Sequence, residues 1–88
     1  MNNKELISLV KNIISDLESL AKLRQENKLD SIITLYKKTL SSLESGELKA
    51  NLVKNMTRGY LEIYSDYDNP VLGLMYTCEK ELDKYINS

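Results

Sequence analysis

A chain without histidine lacks the usual general base at neutral pH, the commonest protein metal ligand and the acceptor for phosphohistidine chemistry. This chain has none among its 88 residues. Its single cysteine, Cys78, falls on the apolar stripe of a helical segment, where burial makes a structural thiol the expectation over a nucleophile. The Asp66, Asp68, Asn69 cluster has the beginning of a calcium loop. Pro70, however, stands where the next ligand belongs, and the glycine and closing glutamate of such a loop are missing. Asn55-Met56-Thr57 matches a glycosylation sequon but lies inside a helical pattern. No catalytic residue, cofactor site or metal site is expected from these types and spacings.

What remains is binding chemistry. The chain has six tyrosines with no Phe or Trp, and Tyr60, Tyr64, Tyr67, Tyr76 and Tyr85 fall in its last third. A tyrosine has a large apolar body and a polar tip, so it suits both the margin of a core and a contact surface. For Tyr60 and Tyr64, spaced by four, a tyrosine-edged core and a recognition surface are both open. Lys54 and Arg58 are expected one helical turn apart, off the apolar stripe of a third helix, where ordinary solvated charge also accounts for them. Asp66, Tyr67, Asp68 and Asn69 form the adjoining turn. An aromatic between acids in a loop has little to do with packing, so this turn is the stronger candidate for a partner-binding surface, with Tyr64 at its edge.

The bulk properties are those of one small globular domain, expected to span residues 1–88. Hydrophobic residues make up 42% and charged residues 28%, with only three Gly and one Pro, a balance that favours helices over disorder. A chain of this size buries roughly 60 to 65% of its unfolded surface, enough for one modest core. The net charge of -1 provides no basic field for nonspecific nucleic-acid binding. A lone cysteine fits a reducing compartment, and the N-terminal apolar residues are interrupted by Lys4, Glu5, Lys11 and Asp16, which leaves no signal-peptide h-region. A cytoplasmic location is expected. The longest uncharged run, Asn69 to Cys78, is too short to span a bilayer.

Apolar periodicity supplies the elements. From Asn3 to Arg24, Leu6, Val10, Ile13, Leu17 and Leu20 alternate spacings of four and three, with Leu9, Ile14 and Ala21 widening the stripe. Asn27 then reads as the N-cap of a second helix with Asp30 in its first turn, a face of Leu29, Ile32, Ile33, Tyr36, Leu40 and Leu43, and a stop at Ser45-Gly46. Glu47 reads as the first turn of a third helix carrying Leu48, Leu52, Val53, Met56, Tyr60, Ile63 and Tyr64, antiparallel to the second across a short Gly46 connection. Gly59 inside it is either a point of close helix approach or a passenger. Asn69-Pro70 opens a fourth helix to about Ile86 with Val71, Met75, Cys78, Leu82 and Tyr85 inward. The expected fold is all-α, an antiparallel up-down-up-down four-helix bundle with helices of roughly 16 to 22 residues.

Two resemblances follow. Leu29-Asp30-Ser31-Ile32 is similar to the Asp-Ser-Leu/Ile attachment site of acyl carrier proteins, in which that serine carries phosphopantetheine. Here Lys37-Lys38 replaces the acidic helix those proteins have, and their long loop after helix one is missing. The broader likeness is to the small immunity proteins that protect lactic acid bacteria from class IIa, pediocin-like bacteriocins, the enterocin A immunity family. It covers nearly the whole chain: the first helix from Leu6 to Leu23, the ending Leu43-Glu44-Ser45-Gly46, the stretch from Asn51-Leu52-Val53 to Tyr60-Leu61-Glu62-Ile63-Tyr64, and a fourth helix opened after Asn69-Pro70.

That resemblance implies an antiparallel bundle inside the producer cell, neither an enzyme nor a cofactor carrier. It implies action at the cytosolic face of the membrane, on the mannose phosphotransferase permease once the bacteriocin has engaged it. It also implies specificity in the C-terminal half, where the tyrosines lie. The sequence departs from several relatives, which continue into a flexible C-terminal tail that bears on recognition, by stopping at Ser88 directly after the fourth helix, and this puts tail-based recognition in doubt. A small helical adaptor or regulator is the alternative from a different class, and a carrier domain modified at Ser31 a more distant one.

Overall fold

Four helices in chain order make up the regular structure of the computed structural model, which describes residues 1–87: α1 Asn3–Arg24, α2 Asp30–Ser45, α3 Met56–Ile63 and α4 Val71–Ile86. The described residues contain no strand.

α1 starts in a capping box that the apolar pattern does not reveal. The Asn2 side chain accepts the Glu5 backbone N–H at 2.8 Å while the Glu5 carboxylate accepts that of Asn2 at 3.2 Å. Leu6, Leu9, Val10, Ile13, Ile14 and Leu17 are buried as the period requires, and the helix ends at Gln25 in the left-handed region with its N–H returned to Ala21 and Lys22 carbonyls.

α2 begins later than expected and without the expected cap. The Asn27 side chain accepts no capping hydrogen bond; the last residue before the helix is Leu29, already near helical angles, and the Asn27 carbonyl takes part by accepting the Asp30 N–H at 3.2 Å. Burial of Leu29, which is fully enclosed, fixes the entry in place of a polar cap. Ile32, Ile33, Tyr36 and Leu43 are buried and Leu40 is half-buried, joined by Thr39, which the apolar pattern passes over. Its hydroxyl is satisfied by donation to the Leu35 carbonyl at 2.9 Å. Gly46, at φ +73, closes the helix: its N–H reaches the Leu43 carbonyl and that of Glu47 the Ser42 carbonyl.

The third helix departs most from expectation. Residues 47–55 are not helical, so Glu47 lies in no first turn, and α3 is only the eight residues Met56–Ile63. The Gly46 connection is therefore long. Two asparagines account for the loss: the Asn51 side chain accepts the N–H of Val53 at 3.1 Å, a local bond that competes with the helical one, and Asn55 takes left-handed angles, φ 66 and ψ 13. Val53 is nonetheless fully buried, so this irregular stretch still contributes to the core.

Gly59 is no site of tight approach. A methyl built there would meet the Ile32 Cδ1 at 3.9 Å and the Met56 Cε at 4.0 Å, both ordinary contacts, so the passenger reading holds.

α4 follows the expected opening. Pro70 has helical angles, φ -57 and ψ -23, and the Asn69 side chain accepts the Val71 N–H at 3.0 Å. Val71, Met75, Cys78 and Leu82 are buried. α1 packs against both α2 and α4, and α3 lies across α2 and α4. The N-terminal amine is 3.3 Å from Glu81 and Arg24 is 3.4 Å from Asp66, so the two ends of α1 lie beside opposite ends of α4.

Candidate partner-binding surface

Tyr60 on α3 and Tyr64, the extended residue that closes that helix rather than part of it, are buried and in edge-to-face contact, with ring centroids 5.8 Å apart at 64°. Their hydroxyls reach polar groups at the margin of the core. Tyr60 donates to Asp66 Oδ2 at 3.1 Å, and Tyr64 donates to Glu26 Oε2 at 3.1 Å. Burial raises both phenols above the ordinary tyrosine value, and the carboxylates they donate to push in the same direction.

Asp66 is the hub of this end of the molecule. One of its oxygens, Oδ2, receives Asn69 Nδ2 at 3.0 Å, the Tyr60 hydroxyl at 3.1 Å and Arg24 Nη2 at 3.4 Å. The Asn69 donation is the leading cause that holds the Asp66 carboxyl below the usual carboxylate range, with Tyr60 and Arg24 adding to it against the opposing effect of burial. Arg24 also lies over the Tyr64 ring, 4.1 Å from its centroid, and Glu26 pairs with Lys28 at 3.4 Å. The network thus ties the end of α1 and the loop before α2 to the end of α3 and the turn after it.

Among the expected surface residues, the structure separates three kinds. Tyr64, Asp66 and Asn69 face inward and hold the turn in shape; Asn69 also caps α4. Tyr67 and Asp68 point away, with the Tyr67 side chain 71% exposed, which leaves a large apolar ring uncovered on a turn whose inner side is fixed. Lys54 and Arg58 are exposed, but they do not share a helical face: Lys54 belongs to the turn before α3, and Arg58 lies 3.7 Å from Glu62 within it. The reason is the helix boundary at Met56, set by Asn55.

Arg24 and Glu26 are the partners that sequence reasoning missed. Both sit at a break in the apolar period, which marks a loop but does not say which distant turn it meets. Ser31, the residue of the carrier-like motif, is exposed on the first turn of α2. Cys78 is fully buried with its thiol pushed up to about 12, chiefly by burial, and is therefore protonated at neutral pH. Among the described residues no helix is long and apolar enough to cross a membrane, and no group of three or more metal-ligating side chains is assembled. No family model matches the chain, and no curated protein and no solved structure matches it.

Proposed function

We propose that this chain is a binding protein of the bacteriocin-immunity type, an antiparallel up-down-up-down bundle that acts in the cytoplasm rather than by catalysis. Its partner in this reading is the membrane receptor complex of a class IIa bacteriocin, the mannose phosphotransferase permease, engaged from the cytosolic side. The observation that carries the binding role is the exposed Tyr67 ring on a turn held from within by Asp66 and Asn69. A preorganised turn with an outward aromatic anchors a partner at low entropic cost. The sequence resemblance supplies the identity of the partner.

The contact surface is proposed as Tyr67, Asp68 and the exposed Lys54 and Arg58, with Tyr64, Asp66 and Asn69 supporting it from beneath. The test is protection of a bacteriocin-sensitive strain that expresses the protein, together with exchange of residues 47–88 against those of an immunity protein of known specificity. Protection that follows residues 47–88 supports the reading. Failure to protect against every pediocin-like bacteriocin in a susceptible host overturns it, and leaves the helical adaptor as the reading to pursue.

A further inference from the structure

Tyr67 takes its direction from the turn it sits on, and that turn closes on Asp66. The Asn69 N–H donates to the Asp66 carbonyl at 3.2 Å, which leaves Tyr67 second in a four-residue turn, and the Asp66 N–H donates to the Tyr64 carbonyl at 2.7 Å. In so tight a turn the second side chain points where the first residue is held. The contacts of Asp66 and Tyr64 therefore decide how the Tyr67 ring is presented.

Those contacts come from both halves of the chain. Asp66 Oδ2 accepts from Tyr60 and Asn69, which lie close to it in sequence, and from Arg24, the last residue of α1 and 42 positions away. Tyr60 and Asn69 fix the carboxylate within its own segment. Arg24 fixes that segment to α1, a helix anchored by the fully buried Leu6, Val10, Ile13 and Leu17. The same guanidinium lies over the Tyr64 ring, 4.1 Å from its centroid, and the Tyr64 hydroxyl donates to Glu26 at 3.1 Å. A planar cation can meet a carboxylate with its edge and a ring with its face at once, so the residue that closes α3 and the first residue of the turn are gripped by one side chain.

This grip adds little to global stability. The Arg24 side chain is 36% exposed and that of Asp66 32%, and an ion pair so open to water is weak. What it supplies is direction, because it sets the turn against a rigid helix.

We propose that Arg24 is a positioning residue for recognition: from the end of α1 it braces Tyr64 and Asp66 and so sets the direction in which Tyr67 meets a partner. On the immunity reading, which this role rests on for its partner, Arg24 brings the first half of the chain into a surface otherwise drawn from Lys54, Arg58 and the turn after α3. Residues 47–88 do not shape that turn alone.

Arg24→Ala tests the role in two settings. In the free protein, backbone order parameters from nitrogen relaxation at Asp66, Tyr67 and Asp68 should fall from about 0.85 in the wild type to below about 0.6, while those of α2 and α4 and the urea midpoint stay as they are. Wild-type order parameters at these three positions would overturn the proposal whatever the protein binds. In a sensitive strain, the bacteriocin dose tolerated should fall at least about fivefold with Arg24→Ala, and in an Asp66→Ala background the same change should add less than about twofold, since a residue that acts through Asp66 has little left to hold. If the two losses multiply, Arg24 touches the partner itself and is not a positioning residue. If Arg24→Ala protects as well as the wild type, the direction of Tyr67 is immaterial and the proposal fails. A wild-type protein that protects against no pediocin-like bacteriocin overturns the immunity reading instead, and the order parameters then decide alone whether Arg24 sets the turn.

Discussion

Two regions of this molecule are held by different forces. α1 meets α2 and α4 through apolar stripes, with Leu6, Val10, Ile13, Leu17, Tyr36, Leu43, Met75 and Leu82 all at or below 1% exposure. The 47–69 stretch adds Val53, Tyr60 and Tyr64 to that core and is fixed in shape by polar contacts, Glu79 and Asn51 at one end and Asp66 with Arg24, Tyr60 and Asn69 at the other. Apolar burial is non-directional and tolerates small shifts, whereas a carboxylate with three donors holds one geometry and loses it when a single group is removed. Stability should therefore be concentrated in the first region and shape in the second.

The largest break in that comparison is a cavity in the first region. Leu17→Ala should cost about 3 kcal/mol, since a fully buried leucine truncated to alanine loses both its transfer energy and its packing. Urea melts followed by circular dichroism measure it. A cost below about 1 kcal/mol would mean that α1 is less central than its burial indicates. Glu79→Ala should cost less, about 2 kcal/mol, because it strands two backbone donors and a hydroxyl that water can partly reach. If it matched or exceeded Leu17→Ala, the polar region would be the keystone.

The same contrast explains what could be read from the sequence. The three long helices were legible because their burial follows the apolar period, and α1, α2 and α4 lie within a few residues of where the pattern puts them. The start of α3 was not. Leu48, Leu52, Val53 and Met56 carry a helical period, yet the chain there is shaped by Asn51, Asn55 and a carboxylate on α4, a partner 24 residues from Asn55. Local propensity gives way to bonds of this kind, and no spacing rule foretells them. Of the candidate surface, the exposure of Tyr67 was legible as an aromatic between acids. The inward roles of Asp66 and Tyr64 were not, because they depend on Arg24 and Glu26 across the fold.

Acid should act on the polar region first. The Asp66 carboxyl is held below its ordinary value in the folded state, so its contribution is fully present above an unfolded value of about 3.9 and is lost as pH falls through the lower folded value. The melting temperature of the wild type should decline steeply below about pH 4, and that of Asp66→Asn should be lower at neutral pH with a shallower decline. Parallel curves would show that other carboxylates dominate acid unfolding. Gly59→Ala tests the opposite sign. Since a methyl there meets only ordinary contacts, helix propensity should prevail and raise stability by up to about 1 kcal/mol. A loss would mean that α3 sits closer to Ile32 in solution.

The smallest effect on stability is expected at Tyr67, and it gives the most discriminating test of the proposed function. Its ring is exposed on the turn, whereas Tyr60 and Tyr64, the aromatic residues that precede it, are buried and hydrogen-bonded. Truncating a side chain that fills no cavity should change unfolding free energy by less than about 0.5 kcal/mol, and Tyr67→Ala should leave the urea midpoint and the helical spectrum as they are. Tyr64→Ala, by contrast, opens the margin of the core and removes the ring under Arg24, so it lowers stability and distorts the turn together. If Tyr67→Ala abolishes protection of a sensitive strain at unchanged stability, the exposed ring is a contact. If protection survives Tyr67→Ala and is lost only with Tyr64→Ala, the turn matters for its shape and the contact lies elsewhere on the surface.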